Sequence, residues 1–175
     1  MKNLKLFCVL LIVGIGVNLS FVQATKIDKK AEKIAKIRRL ITSGNYVFVA
    51  NYAIPMAMPA RNLTSNYDVT ITKDNLDVYL PYFGRAYAAP RDLTDGGIKL
   101  KTSNFDYKAV EKKKGWEIKI TPQDKNNPPG VKDVRSLSLS VSSDGYASLQ
   151  VTSLNKQPIS FNGYVEEIKK DKKDK

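Results

Sequence analysis

The chain has 175 residues, a formal net charge of +12, no histidine and one cysteine, Cys8. Without histidine and with a single thiol, it cannot assemble the usual zinc, copper and non-haem iron ligand sets or a histidine-based catalytic triad. Cys8 lies in an N-terminal segment that we expect to be removed, which also excludes a thiol nucleophile. We therefore predict no metal, no other cofactor and no enzyme activity.

The N-terminus has the layout of a secretory signal peptide. Lys2 and Lys5 precede an apolar run over residues 6–17, and Val22-Gln23-Ala24 places small or β-branched residues where a signal peptidase reads. A membrane anchor is the alternative, but a helix needs about 20 apolar residues to cross a bilayer. We predict cleavage after Ala24 and export to the periplasm or the extracellular space.

The mature chain is expected to form one domain over residues 25–165. A chain of this length buries roughly two-thirds of its unfolded surface and needs no disulfide to be stable. The tail over residues 166–175 is composed mostly of lysine and acidic residues. Because it is too polar to join a core, we predict that it is disordered.

The first predicted element of the domain is an amphipathic helix from Asp28 to Ser43. Apolar residues recur there at three- and four-residue intervals, with lysines and arginines between them. We expect Ile34, Ile37 and Ile41 to pack on the rest of the domain. The basic face is either solvated or docks to a protein partner or an anionic envelope surface, and any contact with a membrane would be peripheral.

After Gly44 the apolar period changes to two, which is typical of strands with one dry and one wet face. Such alternation favours an antiparallel sheet over parallel βαβ units. The fold class predicted is mainly β (α+β), a curved antiparallel sheet or open barrel-like meander with the one N-terminal helix packed on it. The predicted strands cover residues 46–52, 67–72, 76–80, 98–101, 105–109, 116–120, 137–141, 147–151 and 159–161.

The segment from Tyr79 to Pro90 contains four aromatic residues, one arginine, one glycine and two prolines. Proline and glycine prevent a regular ladder, so an irregular backbone must place the rings. One interpretation is an aromatic plug that seals an open end of the sheet. The other is a ligand-binding surface, in which tyrosines supply contact area and the arginine pairs with a carboxylate or phosphate. The candidate binding residues are Tyr79, Tyr82, Phe83, Arg85 and Tyr87.

Two blocks of this sequence resemble an uncharacterised bacterial family, domain of unknown function 4251. The first block is Leu80-Pro81-Tyr82-Phe83-Gly84-Arg85-Ala86-Tyr87, followed by Asp95-Gly96-Gly97-Ile98. The second is Asp144-Gly145-Tyr146-Ala147-Ser148-Leu149-Gln150-Val151, continuing to Gln157-Pro158-Ile159-Ser160-Phe161-Asn162-Gly163. The resemblance implies a small exported protein of a Gram-negative bacterium and assigns no catalytic residue.

These observations favour a non-enzymatic periplasmic or secreted binding module that uses the aromatic segment. Its candidate ligands are an envelope glycan, a peptide or an anionic group, and nucleic acid is not expected for an exported protein. The alternative is a structural or interaction protein that docks through its basic helix. The sequence predicts neither the partner nor the oligomeric state.

Overall fold

The computed structural model describes residues 29–87, 96–123 and 134–169. The predicted signal peptide and residues 170–175 of the predicted tail lie outside these ranges. The chain forms two compact units, Met1–Lys36 and Ile37–Lys175. Of the first unit, the structure describes residues 29–36, which are helical; the second contains the remaining helical turns and every strand given below.

The helix, α1, covers residues 29–43 and agrees with the predicted amphipathic helix. Nine strands follow among the described residues. The strands are β1 (Tyr46–Pro55), β2 (Arg61–Ile71), β3 (Leu76–Leu80), β4 (Ile98–Thr102), β5 (Phe105–Lys112), β6 (Gly115–Pro122), β7 (Val134–Ser142), β8 (Tyr146–Ser153) and β9 (Ile159–Glu166).

The nine strands form one antiparallel sheet in the order β4-β3-β2-β1-β9-β8-β7-β6-β5. Most neighbours are consecutive in the chain, and the pairing of β1 with β9 joins the first strand to the last. Ser103 and Asn104 alone separate β4 from β5, so one bent stretch of chain supplies both edges of the sheet. The sheet is therefore a nearly closed barrel, which confirms the predicted mainly β, barrel-like class.

The core lies inside this barrel because apolar side chains alternate along the strands. In β7, Leu137, Leu139 and Val141 are buried while the intervening residues are exposed or half-buried. Phe48 and Phe161 are among the largest side chains that are buried completely. Burial of apolar surface of this kind contributes about 25 cal/mol per Å² and is the main force that holds the barrel together.

The C-terminal half of α1 contributes Ile37, Leu40 and Ile41 to the same core cluster. The predicted packing is confirmed for Ile37 and Ile41, whereas Ile34 belongs to the first unit and is half-buried. None of the helices among the described residues is long and apolar enough to cross a membrane.

Most strands are longer than predicted, and the largest differences at the start of the sheet are in β1 and β2. The first strand continues to Pro55, which pairs with Ile159 at the end of the ladder, where a residue without an N–H group is tolerated. The second strand begins at Arg61 rather than Tyr67. Its pairing with β1 is interrupted by a bulge between Ala50 and Tyr52 of β1. Residues 61–66 are almost all exposed, so they lack the alternation on which the prediction depended.

Candidate functional site

Antiparallel pairing places alternate connections at opposite ends of the barrel. We call one end the loop end; it carries the connections over residues 56–60, 81–97 and 154–158. We call the other the helix end; it carries Ile37–Ser43 of α1 and the turns over residues 72–75, 113–114 and 143–145. The aromatic segment leaves β3 at the loop end.

The aromatic segment is fixed to the β8–β9 connection by backbone hydrogen bonds. The amide of Tyr87 donates to the carbonyl of Asn155 at 2.7 Å, and the amide of Gln157 donates to the carbonyl of Arg85 at 3.1 Å. Between these two bonds, Ala86 and Lys156 form an isolated antiparallel bridge. The backbone of residues 85–87 is therefore ordered although it belongs to none of the nine strands.

Tyr82 supports this bridge from the inner side. Its ring is half-buried against the core, and its hydroxyl donates to the carbonyl of Arg85 at 2.8 Å and lies 3.3 Å from the carbonyl of Gln157. Burial raises the pKa of the Tyr82 phenol, so the hydroxyl keeps the proton that it donates. Tyr82 thus connects the core to both chains of the bridge.

Lys156 turns its charged end inward. Its Nζ donates to the carbonyl of Gly97 at 2.9 Å and lies 5.4 Å from the centre of the Tyr82 ring. A Cβ atom at Gly97 would lie 2.8 Å from the carbonyl oxygen of Leu80, so a side chain at this position would force the two chains apart. Lys156 and Gly97 therefore fasten the β3–β4 connection to the β8–β9 connection.

Phe83 is also half-buried against the core, and the guanidinium carbon of Arg61 lies 5.0 Å from the centre of its ring. Cation–π contacts of this kind contribute about 0.5 to 1 kcal/mol at exposed sites. Tyr82 and Phe83 together correspond to the plug that the sequence suggested.

The other three candidate residues are exposed. Tyr87 is 64% exposed and Tyr79 is 48% exposed, and Tyr79 lies on the outer face of β3 with its ring centre 5.5 Å from that of Tyr67. Arg85 is exposed as well, and its guanidinium forms no hydrogen bond or ion pair with any described residue. The segment therefore has an inner half that packs and an outer half that faces solvent.

Arg85 and Tyr87 lie on one face of the bridge. Side chains alternate along extended chain, so residues 85 and 87 point away from the side that Ala86 occupies. The opposing chain places Asn155 and Gln157 across from Tyr87 and Arg85, because Ala86 pairs with Lys156. We call these four residues the Arg85 face; it combines a guanidinium, a phenol and two side-chain amides.

The outer surface of β2 and β3 beside the segment carries two carboxylates, one on each strand. Asp68 on β2 is directly opposite Tyr79 in the register. Burial, and then repulsion by Asp77, raise the pKa of the Asp68 carboxyl. Asp77 itself is 3.5 Å from Nζ of Lys101 in an exposed ion pair. Tyr79 is thus near an acidic group, unlike Arg85, which makes no contact with a carboxylate among the described residues.

An open groove lies elsewhere on the barrel. It is a groove of about 510 Å³ on the outer surface of β6 to β9, lined by residues that include Glu117, Ser140, Ser148 and Asn162. The sequence pattern indicated no binding site at these residues, although Ser148 and Asn162 lie in the second block that resembles the family. The alternating serines of β7 were a usable signal, but the groove depends on a register across strands that no local pattern predicts.

No group of three or more acidic, histidine or cysteine side chains that could hold a metal ion occurs within residues 29–87, 96–123 and 134–169. The Arg85 face likewise contains no carboxylate. The side-chain oxygen of Gln157 accepts a hydrogen bond from the backbone N–H of Arg85 at 3.3 Å, so the amide of Gln157 helps to hold the bridge. The guanidinium of Arg85 and the exposed Tyr87 ring are the groups of this face suited to recognition.

Comparison with known proteins agrees with this fold. Residues 28–165 match the family model described as "Domain of unknown function (DUF4251)". The chain belongs to this family. The resemblance of the two sequence blocks is thereby confirmed, and the match extends over the described helix, β1 to β8 and all of β9 except its last residue.

A crystal structure of a DUF4251 family protein from Bacteroides eggerthii DSM 20697 has a similar fold. The TM-score is 0.59 at 16% sequence identity, and the similarity covers 78% of this chain and 89% of that chain. No curated protein matches the chain significantly.

Proposed function

We propose that this DUF4251 protein is an exported, non-enzymatic binding module that recognises an anionic group through the Arg85 face. The observation that carries the proposal is the position of Arg85, whose exposed guanidinium makes no ion pair among the described residues and stands on a backbone that is fixed on both sides. A guanidinium held in this way presents a planar fork that matches a carboxylate or phosphate.

The neighbouring groups favour an anion over a neutral ligand. Arg61 and Lys156 lie at the same end of the barrel, where they contact aromatic rings and a carbonyl oxygen, and neither forms an ion pair with a carboxylate of the described residues. Their positive charges therefore add to that of Arg85 without compensation by an acid of the described chain. The exposed ring of Tyr87 supplies contact area for the part of the ligand that carries the anion.

Export is supported by the N-terminal sequence, in which two lysines and a short apolar run precede Ala24. An exported protein meets acidic glycans and lipid headgroups in the envelope, and these carry carboxylates and phosphates. The proposed ligand is therefore a carboxylate- or phosphate-bearing envelope component.

The test is an NMR titration of the purified protein with glucuronate and with glycerol phosphate, which probe the two anion classes separately. We expect saturable shifts of the Arg85 side-chain signals and of the Tyr87 ring. The variant Arg85→Gln should abolish these shifts without lowering the melting temperature, because the side chain is exposed.

The matched control is Arg39→Gln, which removes the same charge from an exposed position of α1 at the helix end. It should bind the probe as the unmodified protein does. Equal loss of binding in both variants would mean that only net charge attracts the anion, and retained binding in Arg85→Gln would exclude the Arg85 face.

A further inference from the structure

The outer groove of the barrel is built around a row of side chains that crosses four strands. Glu117 of β6 pairs with Ser140 of β7, Ser140 with Ser148 of β8, and Ser148 with Asn162 of β9. All four side chains are exposed on the outer surface of the barrel and line the same groove of about 510 Å³. The row is independent of the Arg85 face, which lies on the 81–97 and 154–158 connections.

The groove exists because side chains in the middle of the row are short and those beside it are long. Serine occupies the central positions, whereas Tyr146, Lys112 and Lys114 also line the groove. Tyr146 is 70% exposed, so much of its ring surface faces outward. A volume of this size falls in the range of small-ligand sites, about 300 to 1,000 Å³.

The charges in the groove largely cancel. Glu117 is 3.5 Å from Nζ of Lys112, which leaves the lysine at position 114 as the additional charge lining the groove. The uncharged side chains of the row itself, Ser140, Ser148 and Asn162, supply two hydroxyls and one amide, each able both to donate and to accept a hydrogen bond. A ligand rich in hydroxyl groups would match them, because each hydroxyl can likewise donate and accept a hydrogen bond.

The Oγ atom of Ser142 adds a further polar group. Ser142 also lines the groove, and its hydroxyl is buried without a hydrogen-bond partner among the described residues. Buried polar atoms are normally paired in folded proteins. A bound hydroxyl or a water that reached this atom would supply the missing bond.

The direction and spacing of the row favour an extended ligand. Neighbouring strands are about 4.8 Å apart, which is close to the length of one sugar unit in a polysaccharide. A peptide strand is disfavoured, because β6 to β9 are each paired on both sides and offer no free edge to extend. A nucleic acid is disfavoured because the lysine charge is partly neutralised by Glu117.

We propose that this groove is a second binding site, which takes a neutral, polyhydroxylated saccharide chain lying across β6 to β9. Asn162, Ser148, Ser140 and Glu117 hydrogen-bond to successive hydroxyl groups, and the Tyr146 ring packs against the apolar face of a sugar unit. This site goes beyond the proposed anion recognition and does not depend on it.

Isothermal titration of the purified protein with cellohexaose, xylohexaose and chitohexaose tests the proposal. We expect one of these chains to bind, and Asn162→Ala to weaken it about tenfold, as the loss of one or two hydrogen bonds does. The variant Ser148→Trp fills the groove and should abolish binding. Its matched control is Ser138→Trp, at an exposed outward position of β7 outside the groove.

Retained melting temperatures in Ser148→Trp and Ser138→Trp establish that both variants fold. Should Ser148→Trp fail to fold, Asn162→Ala decides the question alone. Absence of binding for all three saccharides, or equal affinity of the unmodified protein and both groove variants, would overturn the proposal. Saccharide binding that persists in Arg85→Gln would show that the groove and the Arg85 face are separate sites. Either proposal can therefore fail without the other.

Discussion

The two ends of the barrel use their aromatic and charged residues in different ways. At the helix end, the hydroxyls of Tyr46 and Tyr107 are 3.3 Å apart, and Tyr107 donates to the carbonyl of Ile41 at 3.0 Å. Arg38 forms an ion pair with Glu111 at the same end. At the loop end, Arg85 makes no such pair among the described residues, and Tyr87 is exposed.

The difference separates residues that stabilise the fold from residues available for recognition. Burial, followed by the neighbouring Tyr107, raises the pKa of the Tyr46 phenol well above its ordinary value, which is typical of a phenol enclosed in a core. Tyr46, Tyr107 and Arg38 at the helix end thus have internal partners. At the loop end, Tyr82 and Lys156 have internal partners, whereas the guanidinium of Arg85 has none within residues 29–87, 96–123 and 134–169.

The largest effect is expected at the helix end, from Ile41→Ala. Ile41 is 1% exposed within the core cluster, and the loss of a buried isoleucine side chain lowers the free energy of unfolding by about 2 to 5 kcal/mol. The control is Thr42→Ala at the next, exposed position. Chemical denaturation should show a large decrease only for the first variant; equal effects would mean that α1 does not close the core.

Gly145→Ala is expected to have the second largest effect. The φ angle of Gly145 is +84°, and a Cβ atom there would lie 2.8 Å from Cδ1 of Ile37. Backbone strain of this kind costs about 1 to 3 kcal/mol, and the side chain of Ile37 must also shift. Gly96→Ala at the loop end is the control, because a Cβ atom there meets nothing within 4 Å. Equal melting temperatures for both variants would contradict the packing of Ile37 on the turn.

Tyr82→Phe should reduce the free energy of unfolding by about 1 kcal/mol, since it removes hydroxyl hydrogen bonds and keeps the ring. Hydrogen exchange should accelerate at the amides of Tyr87 and Gln157, which hold the bridge. Tyr87→Phe, with an exposed hydroxyl, is the control. Unchanged protection of the two amides in Tyr82→Phe would show that the bridge is held without Tyr82.

The smallest effect concerns Asp68 and depends on pH. The pKa of Asp68 is raised in the folded protein, so folding is favoured more when this carboxyl is protonated. This contribution to stability is lost as pH rises from the unfolded pKa, about 3.9, through the folded pKa. Asp68→Asn should therefore raise the melting temperature slightly at neutral pH. The gain should shrink below about pH 4; a gain that is the same at both pH values would contradict the raised pKa.

Local pattern was sufficient to predict most of the fold. The boundaries of β3 are those predicted, because Leu76, Val78 and Leu80 alternate without interruption. The helix was predicted from its apolar spacing, and burial of Ile37 and Ile41 confirmed the packing side. In β2 the exposed residues 61–66 carry no alternation, and a bulge interrupts pairing there, so its beginning was missed.

Features that depend on distant residues could not be predicted in the same way. The closing pair of β1 and β9 joins residues far apart in sequence, and the groove row requires the register of four strands. The sequence indicated an irregular backbone for the aromatic segment, and residues 81–87 lie outside the nine strands. Its division into inner and outer halves depends on the Ala86–Lys156 bridge, which no local period indicates.

The central claim is that the aromatic segment has a packing half and a recognition half. Thermal unfolding of Tyr82→Ala and Tyr87→Ala, each with and without glucuronate and glycerol phosphate, tests it most directly. We predict that Tyr82→Ala loses about 2 kcal/mol of stability without ligand, less than the full cost for a buried aromatic residue because its ring is half-buried. Tyr87→Ala should keep the unmodified melting temperature and lose most of the stabilisation that the anion confers. A large loss of stability in Tyr87→Ala, or an unchanged response of that variant to both anions, would contradict this division.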